Sequence, residues 1–131
     1  MFTRSATRDM TRRVRVWGPA WAMMVLIFVL SSMSGLPPAP GGIDDSVAHA
    51  LEYAVFAALL LRGFTGARWR RMGVGAVWRA VLLATLYGVT DEVHQRFVPG
   101  RTAEIADLTA DAAGAAVAAV LIWAWSIVRR A

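Results

Sequence analysis

Three stretches of this sequence hold most of its chemistry. The first, TDEVHQRFVPGR at residues 90–101, brings two carboxylates, an imidazole, an amide and two guanidiniums into one short segment. Just before and within it, Tyr87, Asp91 and Gln95 recur every four residues, with Gly88 and Glu92 beside them. In DDSVAHALEYAVF, residues 44–56, Asp45, His49, Glu52, Tyr53 and Phe56 are spaced by three and four, so they share one helical face. In the third, Asp107, Asp111, Gly114 and Ala118 form a stripe with acids at one end and small residues at the other.

These residue types suit two kinds of work. A carboxyl group buried beside other acids is a candidate general acid or base, and Glu92 near Asp107 or Asp111 fits, with His49 assisting. The structural alternative pairs Glu92 with Arg101 and pins the turn between them to its neighbours. Asp91 and Glu92 are adjacent and project about 100° apart on a helix, so they need not share a proton. Asp107 and Asp111 read either as paired ligands or as hydrogen-bonded staples between helices, and His49 either as a ligand or as a bonded interface residue. His94 lies off the Asp91–Gln95 line and is expected to face an interface with water. Together His49, Glu52, Glu92, Asp107 and Asp111 could hold a divalent ion: the oxygens suit Mg²⁺, Ca²⁺ or Mn²⁺, and the imidazole admits Zn²⁺. The spacing matches no established metal motif, so the expectation is no cofactor, with a divalent metal as the alternative. The chain has no Cys, which excludes disulfides and thiolate sites. It also lacks a Gly-rich phosphate loop and a serine elbow.

The elements that carry these residues are apolar. Of 131 residues, 57% are hydrophobic and 18% charged, against about 45–50% and about 25% in ordinary soluble domains. Six tryptophans suit a protein with membrane interfaces. Apolar segments run over about 17–33, 47–64, 78–97 and 105–128, each near the ~20 residues that cross a hydrocarbon core. The expected fold is therefore all-α, a four-helix transmembrane bundle of one domain. A basic segment (1–16) precedes it, the spans fill 17–128, and 129–131 form a tail. SGLPPAPGG (34–42), GFTGARWRRMG (63–73) and VPGRTAE (98–104) separate the spans, with Thr102 a candidate cap for the last helix.

Charge sets the expected orientation. Every basic residue is Arg, and all but Arg96 and Arg101 flank the first span, the 63–73 loop or the C-terminus. The positive-inside bias puts those regions, and both termini, in the cytoplasm. All acids except Asp9 then fall in or beside the two outer loops. The arginines flank apolar runs and form no soluble basic domain, so the net charge of +5 does not indicate nucleic-acid binding. A cleaved leader is the rival reading of the first span, because a basic lead precedes it and Ser, Gly and Pro follow. Cleavage would leave three spans and no soluble cargo, so the four-span reading is preferred. In it, the three polar stripes meet in the outer half of the bilayer. Lone acids facing lipid cost about 2.5–3.5 kcal/mol each, and facing one another, arginine and water they are tolerated.

The ordered stretches DSVAHALEY (45–53), EVHQRFVPGR (92–101) and DLTADAAG (107–114) resemble the VanZ-like family of small bacterial membrane proteins. That family's pattern reads Asp-Lys-x-x-His-x-x-x-Tyr, then Glu-x-x-Gln-x-Phe-x-Pro-x-Arg, then Asp-x-x-x-Asn-x-x-Gly. The resemblance covers about residues 44–120. Ser46 stands where the pattern has Lys and Asp111 where it has Asn, so this cluster is more acidic than the family's. The family takes its name from a protein associated with resistance to the glycopeptide teicoplanin, which implies a cell-envelope role in the bacterial inner (cytoplasmic) membrane. The resemblance supplies no biochemical activity.

Three functions are expected from these readings. In the first, an outer polar pocket binds the headgroup of a membrane lipid, a lipid-linked wall precursor or an amphiphilic antibiotic. Arg96 or Arg101 supplies the cation, Asp45, Asp91, Glu92, Gln95, Asp107 and Asp111 shape the pocket, and His49 and Tyr53 donate hydrogen bonds. In the second, Glu92 and His49 catalyse a reaction on such a headgroup. In the third, the polar cluster only locks helices together. The oligomeric state is left open.

Overall fold

The computed structural model describes residues 2–37 and 40–131, with side chains from residue 6 onward. Pro38 and Ala39 of the expected breaker, Met1, and the side chain of Arg4 lie outside the described residues. The described chain is helical: α1 (Phe2–Ser32), α2 (Asp45–Thr65), α3 (Val74–Gln95) and α4 (Ile105–Val128), with short 3₁₀ turns at Pro40–Gly42 and Trp69–Arg71. The helices α1, α2 and α4 are long and apolar enough to cross a membrane, over Ala6–Ser32, Asp45–Thr65 and Ile105–Val128. The third helix is not in that set; Arg79, Asp91, Glu92 and Gln95 lie within it.

The basic lead proves helical. The first helix carries it without a break from Phe2 to Ser32, with Pro19 inside. Proline has no N–H to give to the carbonyl four residues earlier, which here belongs to Arg15. Arg62 of α2 supplies the missing donor: its Nη2 bonds Arg15 O at 3.0 Å. The same end is packed tightly, since a Cβ at Gly63 would lie 2.6 Å from the Trp17 ring. Trp17 also meets Phe64 edge-on at 5.1 Å.

Turn chemistry ends the helices where the breakers predict. Gly66 closes α2 in the left-handed region (φ 63°), and the Ala67 N–H reaches back to Arg62 O. Gly100, at φ 80°, turns the chain between α3 and α4. Thr102 is not the cap of α4, which begins after Glu104 with no side-chain cap of its own. The orphan N–H of Glu104 is instead taken by Glu92 Oε2 of α3 at 3.1 Å.

Small residues face inward and large ones outward. On α3, Ala76, Ala80, Ala84 and Gly88 are buried, while Trp78, Leu82, Leu86 and Val93 are exposed. On α4, Ala115 and Ala119 are fully buried and Leu121 and Trp125 exposed. The most extensive helix contact is α2 on α4. There Gly114 lies against the Ala50 backbone so closely that a Cβ would collide with the Ala50 carbonyl. Tyr53, Phe56, Leu60 and Leu61 of α2 fill the centre, with Ala20 and Ile27 of α1 completing it.

Candidate functional site

At the end where α2 and α4 begin and α1 and α3 finish, α1, α2, α3 and the adjoining loops line a cavity of about 780 Å³. Asp45, His49 and Glu52 line it from α2, Asp91 and Gln95 from α3, and Arg101 from the following turn. Leu30 and Ser31 of α1 complete the wall. The i, i+3, i+4 spacing within DDSVAHALEY and the four-residue step from Asp91 to Gln95 aim these side chains the same way.

Hydrogen bonds fix several of the groups. His49 Nδ1 bonds Asp111 Oδ1 at 3.0 Å, and its Nε2 faces Asp107 Oδ2 at 3.9 Å. Gln95 Nε2 donates to Asp91 Oδ2 at 3.0 Å. Arg101 donates from Nε to Met33 O at 3.0 Å and from Nη2 to Leu30 O at 2.7 Å. Those carbonyls sit at the C-terminal end of α1, where acceptors lack helical partners and a cation is favoured. Gly88 lets α3 come close: a Cβ there would lie 3.2 Å from Asp111 Oδ2 and 3.4 Å from the Tyr53 ring.

The adjacent acids of α3 diverge, as their 100° offset requires. Asp91 turns to the cavity and Glu92 to the start of α4. The expected Glu92–Arg101 ion pair does not form among the described residues: each group goes to backbone instead. Glu92 pins the turn between α3 and α4 nonetheless, by holding the Glu104 N–H. Its other oxygen, Oε1, is buried without a partner among the described residues, as is the Tyr53 hydroxyl.

The remaining expected residues divide in two. Tyr53, Glu92, Asp107 and Asp111 are buried but are not part of the cavity lining. Arg96 is exposed at the C-cap of α3 and away from the lining, so Arg101 is the arginine of this site. His94 is half-buried, stacks on Phe28 at 4.6 Å and meets Ser32 Oγ at 2.8 Å, fastening α3 to α1. Of the expected metal set, His49 and Asp107 come together with Asp45, their ligand atoms within 4.8 Å of one another. Glu52 and Glu92 are not in that group. Sequence reasoning missed α1 as a wall; Ser31 and Ser32 at its polar end were the available signal.

The architecture and the ordered polar stripes agree with a direct comparison: a family model described as VanZ/LLP1 matches residues 16–128. The chain belongs to the VanZ/LLP1 family. No curated protein and no solved structure matches it. Membership in the VanZ/LLP1 family and three apolar helices make the chain a VanZ-like, multi-pass membrane protein. The matched region includes all of α2, α3 and α4 and α1 from Val16 onward.

Proposed function

We propose that this VanZ-like protein crosses the bacterial cytoplasmic membrane four times, both termini inside, and binds a polar headgroup in its outer-leaflet cavity. The headgroup belongs to a lipid-linked wall precursor or an amphiphilic antibiotic such as a glycopeptide, which gives the protein its part in envelope maintenance and antibiotic resistance. One observation carries the reading: Asp45, His49, Glu52, Asp91, Gln95 and Arg101 surround a single cavity of about 780 Å³. That volume is in the range of ligand sites, about 300–1,000 Å³. The four-span topology is supported by the outward face of α3, where Trp78, Leu82, Leu86, Val89 and Val93 are exposed. Such a row is unfavourable against water and suits lipid. Its acids turn the other way.

An enzyme working through Glu92 has less support. Glu92 does not line the cavity, and one of its oxygens already holds the Glu104 N–H. Glu92→Gln separates the readings, because the amide oxygen can still accept that bond. A binder keeps its ligand and an enzyme loses turnover, while thermal unfolding in detergent stays the same in both.

The direct test measures binding of a lipid-linked wall precursor, and separately of teicoplanin, to the protein in nanodiscs. Gln95→Ala removes a hydrogen-bonding group from the cavity wall and Arg101→Gln removes its cation, and each should weaken binding about tenfold or more, one lost hydrogen bond to a charged group being worth about 1.5–3 kcal/mol. Equal affinity in wild type and both variants, or no saturable binding of either ligand, would remove the proposal.

A further inference from the structure

The cavity poses a charge problem for any anionic headgroup. Asp45, Glu52 and Asp91 line it against one arginine, and Arg101 already spends two donors on carbonyls of α1. A bound divalent cation would offset that excess.

We infer that Asp45, His49 and Asp107 form a site for a divalent first-row metal ion, with Asp111 orienting the imidazole. The three residues each bring a ligand atom to within 4.8 Å of the others. A carboxylate can only accept, so the 3.0 Å bond to Asp111 Oδ1 places the ring hydrogen on His49 Nδ1. In the neutral ring Nε2 then keeps its lone pair, and it is Nε2 that faces Asp107 at 3.9 Å. A carboxylate holding the far nitrogen of a ligating histidine is the usual outer-shell device of metal sites. One imidazole and two carboxylates suit Zn²⁺ or Mn²⁺ better than Mg²⁺ or Ca²⁺, which prefer oxygen alone. Ligand atoms around tetrahedral zinc sit about 3.4 Å apart at bonds of about 2.0–2.2 Å. Closure therefore needs an inward swing of about 1 Å, which the exposed Asp45 in the first turn of α2 can make.

A second observation points to an occupant. Glu92 is 8% exposed, and its Oε1 is buried with no partner among the described residues; its Oε2 holds the Glu104 N–H at the start of α4, whose first turn carries Asp107. A buried, unsatisfied carboxylate oxygen beside that turn calls for a bound water or ion. The ion would take three protein ligands and leave a coordination position open. Use of that position to hold a phosphate or carboxylate headgroup rests on the function proposed above; the cation site itself does not.

Protein in nanodiscs is titrated with Zn²⁺ alone and Mn²⁺ alone, by calorimetry and by the Mn²⁺ spin-resonance signal, beside protein-free discs. One saturable ion per chain is expected. Asp45→Asn should weaken it at least about tenfold, and Asp111→Asn by about 10- to 100-fold. Because Asp107 and Asp111 are buried and their replacement can unfold the protein, the exposed Asp45 carries the test, with metal-free thermal unfolding as its control. Uptake no greater than in empty discs, or uptake that Asp45→Asn leaves unchanged, overturns the assignment. Precursor binding is then measured with and without the ion. Saturable ion uptake with no gain in precursor affinity supports the cation site and counts against the headgroup reading alone.

Discussion

Tyr53 and Tyr87 show how differently two phenols on neighbouring helices are used. Tyr87 donates to Met24 O at 2.6 Å and ties α3 to α1. Tyr53 is fully buried and its hydroxyl has no partner among the described residues. An unmade buried hydrogen bond costs about 1–3 kcal/mol, so Tyr53→Phe should leave stability unchanged or raise it by about 1 kcal/mol. Tyr87→Phe should lower it by about 1 kcal/mol. Thermal unfolding of the two variants in the same detergent checks the contrast, and a Tyr53→Phe protein as destabilised as Tyr87→Phe would show a hidden partner for Tyr53. Residue spacing showed that Asp45, His49 and Glu52 share a face. It could not show that Arg101 would choose α1 carbonyls over Glu92, because that choice depends on where α1 ends in space.

Among the elements, Pro19 and Gly114 matter most. Pro19 leaves the Arg15 carbonyl without its helical donor, and Arg62 fills the gap from α2. Arg62→Ala alone should therefore cost about 1.5–3 kcal/mol, as for a bond from a charged donor. With Pro19→Ala, which restores the N–H, the same change should cost much less. A double-mutant cycle with coupling near zero would refute the pairing. Gly114 is needed for α4 to reach the Ala50 backbone. Gly114→Ala should destabilise by about 1–3 kcal/mol through overpacking, read as a lower unfolding temperature. The small-residue stripe on α4 was legible in the sequence. Its partner was not, since a run of alanines has no periodicity that names the helix it meets. The helical conformation of the basic lead was not legible in the sequence, because the apolar core positions of α1 begin only at Val16 and Ala20.

At the scale of the whole molecule, charge separates along the helix axes. Reporter fusions at Gly42 and Gly100 should read outside the cytoplasm and a fusion at Gly66 inside. A cytoplasmic Gly100 would take the acidic cavity out of the outer leaflet and remove its access to a wall precursor. Composition and periodicity alone determined an all-helical membrane protein, its breakers, and the polar stripes on α2, α3 and α4, because burial in lipid imposes apolar length and helical spacing on any sequence. Only the tertiary structure decided that Glu92 caps α4, that Arg101 docks on α1, that Arg96 stays outside and that α1 walls the cavity. Those outcomes depend on the relative placement of helix ends far apart in sequence: Glu92 and Arg101 each bond backbone of another segment, a choice no local pattern encodes.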